Sequence, residues 1–250
     1  MTNTRMPVLQ EDKPKKKKSR KLTVILMLLF AALLGVVFFR SPASRITEID
    51  FLGSKYSTQE ELLKQSGLKK GGQYFAVSKE KVAESLQSLK TVQKATVEKS
   101  FPGTITVQIT EYPAVAYEID TSGSLKAILS SGASVSIDDS GIAVEKPILT
   151  GWKPSDPYRS KLCAALADIP NELTSDISEI VPSPTPSFPD RIKLYTRSRF
   201  EVITAVSLLK DKVGYLNEVI ETNSPGTITM LEADSYVPFI PETNNEEEEN

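Results

Sequence analysis

The side chains equipped for chemistry are few, and the commonest catalytic arrangements are missing from among them. The chain has no histidine, which removes the Ser-His-Asp and Cys-His arrangements and the HExxH zinc site together. Cys163 is the one cysteine, so no intramolecular disulfide can form. Its setting, SKLCAALADI, is apolar and helical. That predicts a small packed side chain, because a reactive thiolate needs a cation or a helix N-terminus beside it. Carboxylates remain. Glu111 with Glu118, or Asp168 with Glu172, could be set out as the acid and base of a hydrolase, but being carboxylates is all that recommends them, and solvated surface is the expectation. Asp138 and Asp139 before Gly141 lack the further acids and the distal glutamate of an EF-hand loop, and predict a turn held by side-chain to backbone hydrogen bonds. There is no SxxK supported by SDN and KTG, and no glycine-rich phosphate loop. The residues therefore point away from an enzyme, and to no cofactor, metal or small-molecule substrate.

The element that everything else must be arranged around is residues 22–39, LTVILMLLFAALLGVVFF, eighteen residues without a charge. As a helix they reach roughly 27 Å, about the thickness of a bilayer's hydrocarbon core. A single membrane span is the natural reading. Arg5, Lys13, Lys15, Lys16, Lys17, Lys18, Arg20 and Lys21 precede it against Glu11 and Asp12, so residues 1–21 carry +6 and the whole-chain charge of −2 leaves −8 for the rest. By the positive-inside rule this basic tail stays in the cytoplasm and the remainder lies outside. A cleaved signal peptide is the rival, with Ser41 and Ala43 as a small-x-small site, but its apolar run is normally about 7–15 residues and does not end in Phe38 and Phe39. A buried core helix fits less well, because nothing polar marks a solvated face. The acidic exterior argues against a nucleic-acid partner, and the lysine run suits the anionic headgroups of the cytoplasmic membrane.

Beyond the span, Ile46, Ile49 and Phe51 suggest a short strand closed by Gly53. Ser57 to Glu60 fits a capping box for a short helix ended by Gly67. Ser78 caps a second helix over 79–89, with Val82, Leu86 and Leu89 on one face. Residues 92–99 and 104–110 predict a hairpin across Ser100-Phe-Pro-Gly103, the second strand alternating Ile105, Val107 and Ile109 with Thr104, Thr106, Gln108 and Thr110. Strand, helix, helix, strand, strand makes a small α+β layer in which two helices cover one side of a three-stranded sheet.

This order, its position next to the membrane and the run from Phe101 to Tyr117, FPGTITVQITEYPAVAY, resemble the POTRA domain of the FtsQ/DivIB family of bacterial cell-division proteins. In that family a PxTIxVxIxExxPVA-like run leads from the last POTRA strand into a second domain, called β. Pro102, Thr104 to Ile109, Glu111, Pro113, Val115 and Ala116 stand in the matching places. The resemblance implies an α+β fold, with a single transmembrane helix followed by a POTRA domain and a mixed β-rich domain with helices. The expected limits are a cytoplasmic basic tail over 1–21, the span over 22–39, POTRA over 44–112, the β domain over 113–239 and an acidic disordered tail over 240–250.

Within the β-like region, 125–130 and 134–137 predict strands, and 138–141 a turn into a strand over 142–144. Residues 147–151, PILTG, resemble the family's PxLxG strand end. Asp156-Pro157 caps a helix to Ile169 with Tyr158, Leu162, Ala165, Leu166 and Ile169 as its stripe. Residues 181–189 hold four prolines and predict a rigid loop. A hairpin over 191–195 and 200–203 follows, then a long helix with Val206, Leu209, Val213, Leu216 and Ile220 on one stripe, and a last strand over 226–232. The trailing Tyr236-Val-Pro-Phe239 again resembles the family, although Thr229-Met-Leu231 stands where the family often has an Asp-Leu-Arg-like sequence.

Open strand edges are templates for a partner's strand. The resemblance implies that the C-terminal part of the β domain engages the small bitopic division proteins, FtsL-like and FtsB/DivIC-like, and Gly226, Ile228, Met230, Glu232 and Tyr236 are the expected partner-binding residues. The expected role is a divisome scaffold in the cell membrane, enriched at the septum, that helps assemble or regulate septal peptidoglycan synthesis. Two alternatives stay open: a transport-associated POTRA protein that binds polypeptide segments, and a membrane-anchored cell-envelope hydrolase.

Overall fold

The computed structural model describes residues 20–137 and 145–240. The expected turn over 138–141, the strand over 142–144, most of the basic tail and nearly all of the acidic tail lie outside the described residues. Helix α1 (Arg20–Arg40) contains the uncharged run, buries none of its side chains and is long and apolar enough to cross a membrane. It fits a single-pass membrane protein.

A three-stranded sheet follows, built from β1 (Glu48–Leu52), β2 (Val92–Ser100) and β3 (Thr104–Glu111) in the order β1-β3-β2. Strand β3 runs parallel to β1 and antiparallel to β2. Its Ile105, Val107 and Ile109 are buried against Leu62 of α2 (Gln59–Ser66) and Val82 and Leu86 of α3 (Lys79–Gln87). Gly67 ends α2 in the left-handed region at φ 67°, which a side chain would disfavour. The cap of α2 is one residue later than the capping box suggests. Thr58 accepts from Glu61 N, while Ser57 is buried and shares a 2.7 Å hydrogen bond with Thr91.

Glu111, weighed above as a catalytic carboxylate, is fully engaged in holding this layer together. It accepts from the backbone N–H groups of Lys55, Tyr56 and Ser57 at 2.7, 2.8 and 2.8 Å. Three charge-assisted bonds fix the β1–α2 loop onto the end of β3. From there the chain passes directly into the second sheet. Ser131 Oγ donates to Lys90 O at 2.6 Å across the junction.

The second sheet has nine strands in the order β12-β11-β10-β9-β8-β7-β4-β5-β6. They are β4 (Ala114–Ile119), β5 (Leu125–Leu129), β6 (Ser134–Ser136), β7 (Ile148–Leu149), β8 (Ile177–Pro182), β9 (Arg191–Thr196), β10 (Glu201–Ala205), β11 (Gly226–Met230) and β12 (Asp234–Pro238). Helices α4 (Pro157–Asp168) and α6 (Val206–Thr222) pack on one face, with the short α5 (Asn171–Thr174) beside α6.

Three expectations are corrected here. The proline-rich stretch does not begin as a loop: Val181 and Pro182 end β8, which lies in the middle of the sheet. Pro182, at the last position, pairs with Ile192, where a missing N–H interrupts little of the ladder. The stripe of α4 carries a charge, since Arg159 is buried with Leu162, Cys163 and Leu166. Burial is tolerated because its guanidinium reaches Glu118 at 2.7 Å and Ser134 Oγ at 2.8 Å. Finally, the strand over 226–230 is not the last, because β12 lies outside it.

Candidate partner interface

Among the described residues considered for chemistry, Glu111, Glu118, Asp168 and Cys163 are engaged in structural contacts. Glu118 is paired with Arg159, and Asp168 with Lys210 at 2.8 Å, where the carboxylate raises the lysine's pKa. Cys163 is wholly buried, and burial pushes its thiol up to about 11. Among the described residues no three His, Cys, Asp or Glu side chains are grouped to hold a metal ion.

The end of the large sheet is different in kind. Strand β11 lies between β10, parallel, and β12, antiparallel. Ile228 and Met230 are completely buried in the core under α6. Thr204 Oγ1 donates to Met230 O at 2.9 Å, fastening β11 to β10. These two side chains therefore support the sheet's end without reaching its surface.

Gly226 has a specific reason to be glycine. A Cβ there would lie 2.4 Å from Val237 O, 2.7 Å from the Tyr236 ring and 2.8 Å from Pro238 Cα. Strand β12 crosses directly over that bare backbone, and any side chain would push it off. Tyr236 holds the other side: its ring lies 6.4 Å from Phe200 and its hydroxyl donates to Ser224 O at 2.6 Å. Lys212 of α6 reaches round to Leu231 O and Asp234, both at 2.5 Å, and so fixes the β11–β12 turn, where Glu232 is exposed.

Strand β12 is thus the edge. Phe239 N–H donates inward to Pro225 O. Counting back in twos, Val237 and Ser235 also turn their backbone groups inward, which leaves those of Asp234 and Tyr236 facing outward. Pro238 offers only a carbonyl on that side. Along this edge the apolar side chains are uncovered: Val237 is 61%, Phe239 47% and Ile240 91% exposed. Free backbone groups beside exposed apolar side chains are what an added strand needs.

Of the five residues expected at a partner surface, the structure brings all to this one end of the sheet, but in three settings. Ile228 and Met230 lie inside, Gly226 and Tyr236 seat the edge, and Glu232 is in the turn. Val237, Phe239 and Ile240 are the surface residues that sequence reasoning missed. The available signal was Pro238, since proline within a sheet is confined to edges and ends.

Comparison with known proteins places the chain. Residues 44–112 match the model of the POTRA domain, FtsQ-type. The chain is 57% identical over 249 residues to the cell division protein DivIB of Paenibacillus polymyxa, covering 100% of this chain and 98% of that one. It is 31% identical over 241 residues to DivIB of Brevibacillus brevis, covering 94% and 90%. A solved structure, the major extracytoplasmic domain of the trans isomer of DivIB from Geobacillus stearothermophilus, aligns at 23% identity and TM-score 0.38, covering 44% of this chain and 92% of that one. With relatives of this identity matched over nearly their whole length, the chain belongs to the DivIB family of cell division proteins.

Proposed function

We propose that this protein is a noncatalytic divisome scaffold. The basic tail lies in the cytoplasm and α1 crosses the cell membrane, with both sheets outside it at the division septum. Its β12 edge receives a strand from a DivIC-like bitopic partner, with an FtsL-like protein in the same assembly, so that septal peptidoglycan synthesis is assembled at the right place and time. The observation that carries this reading is the edge itself: outward backbone groups on Asp234 and Tyr236, next to exposed Val237, Phe239 and Ile240. Main-chain bonds to the edge supply affinity, and the alternate side chains supply register. Gly226 and Tyr236 keep β12 seated, Ile228 and Met230 support it from within, and Glu232 adds a charge at the turn.

The test is a double substitution, Val237→Asp with Phe239→Asp, in the full-length protein. Both side chains are exposed, so the unfolding free energy from a urea titration is expected to stay within about 0.5 kcal/mol of the parent. Co-purification with the DivIC-like partner is expected to be lost. Unchanged recovery would move the interface to another part of the molecule.

A further inference from the structure

Five aromatic rings gather where α1 meets the three-stranded layer, and they come from three separate segments of the chain. Phe38 and Phe39 end the apolar helix. Phe75, in the loop before α3, has its ring 5.7 Å from Phe38 and 6.0 Å from Phe39. Phe101, at the β2–β3 turn, lies 6.5 Å from both Phe75 and Tyr74. Tyr74 is buried and belongs to the core below. The four phenylalanines do not: Phe75 is 46% and Phe101 62% exposed, and Phe38 and Phe39 are exposed beside them. A soluble surface has no use for four clustered open phenyl rings.

The link between helix and layer is short and hydrogen-bonded throughout. Ser41 accepts from Ala43 N at 3.2 Å, and the fully buried Ser44 donates its hydroxyl to Phe39 O at 2.7 Å. Tyr74 N–H donates to Ser44 O at 2.9 Å, Thr47 N–H to Gly103 O at 2.9 Å, and Gln73 Nε2 to Phe39 O at 3.4 Å. The loop of residues 71–75 is therefore tied to the last turn of the apolar helix, and the Phe101 turn to that loop by ring contacts and to the linker's far end at Thr47. Whatever depth Phe39 takes up sets the depth of Phe75 and Phe101. Arg45 donates to Gly71 O at 3.4 Å, and Arg40, Arg45, Lys69 and Lys70 are exposed in the segments that flank these rings.

We propose that Phe75 and Phe101 dock the three-stranded layer onto the lipid headgroup region of the outer leaflet. With Phe38 and Phe39 they form an apolar patch of the kind that interfacial elements bury at the boundary between headgroups and acyl chains. The flanking cations add attraction to anionic headgroups. The layer then sits on the membrane at a fixed height and tilt, and does not swing on a free tether. This rests on reading α1 as a span.

The experiment uses the full-length protein in vesicles of phosphatidylcholine and phosphatidylglycerol. Trp152, the one tryptophan, is replaced by phenylalanine, and single tryptophans are introduced as Phe39→Trp, Phe75→Trp and Phe101→Trp. Phosphatidylcholine brominated near the glycerol, or near the chain ends, then quenches by depth. The Phe75→Trp and Phe101→Trp proteins are expected to lose emission with the shallow bromines and to change little with the deep ones. Quenching in Phe39→Trp without quenching in either of the others overturns the docking while leaving the span in place. Absence of quenching in all three overturns the span, and the docking with it.

Discussion

The two sheets of this protein end on edge strands of opposite character. Strand β2 of the small sheet is nine residues long and β12 of the large one is five. Length alone would make β2 the better template for pairing. It is guarded, however: a bulge between Val92 and Lys94 disturbs its first turn of ladder, and Lys94 and Glu98 stand exposed along it. Bulges and charges are common means of keeping an edge from pairing. Strand β12 has no such guard between Ser235 and Ile240 except Pro238, and carries Val237, Phe239 and Ile240 in the open. Edge availability is therefore a matter of what the edge displays more than of how much backbone it has.

That contrast can be broken most severely from within. Ile228→Asp places an unpaired carboxylate in the core under β12, at a cost of about 4 kcal/mol. The large sheet is expected to lose its cooperative urea transition, and any loss of partner binding would then report on folding alone. The surface pair Val237 and Phe239, replaced as described above, separates binding from folding. The same partner measurement thus has two expected outcomes with different stability readings.

A smaller effect is expected from Glu111→Gln in the other sheet. A carboxamide offers one acceptor oxygen to the Lys55, Tyr56 and Ser57 N–H groups, which now share two carboxylate oxygens. The loss is expected to be about 2 kcal/mol, read as a lower urea midpoint for the three-stranded layer. Partner recovery through β12 is expected to persist. If binding fell in parallel, the two sheets would not be acting as separate ends.

How far the fold could be read in advance depended on whether a signal was local. The alternation over 104–110 and the stripe of α6 lie within single elements, and both elements form where the periodicity puts them, β3 running one residue further to Glu111. Even there the last buried residue of α6 is Val219, with Ile220 packed at the margin. Strand β12, DSYVP, has no alternation and contains a proline, so it reads as a tail until the bare backbone of Gly226 gives it a seat. The two-residue β7 exists by parallel pairing with β4 and β8, which leaves no trace in the local pattern, and β8 is held chiefly by antiparallel pairing with β9, into which its closing proline runs. Arg159 is a charge on an apolar stripe, legible only once Glu118 and Ser134 are brought to it from elsewhere in the chain. The five residues expected to bind a partner gather at one end of the large sheet because they lie close together in sequence, whereas which side chains face outward there depends on the strand beyond.

The smallest expected change tests the guarded edge directly. Lys94→Val with Glu98→Val removes both charges from the exposed side of β2 while leaving its buried Ala95 and Val97 untouched. Valine suits a strand better than either residue it replaces, so monomer stability should shift by no more than about 0.5 kcal/mol. What should change is association. An unguarded nine-residue edge offers its backbone to a second copy, and the detergent-solubilised protein is expected to show a new, concentration-dependent dimer in sedimentation velocity. The bulge at Val92/Lys94 remains in place and limits pairing to the segment beyond it. If the variant stays monomeric at every concentration, then bulge and twist alone keep β2 closed, and display is less important at this edge than it is at β12.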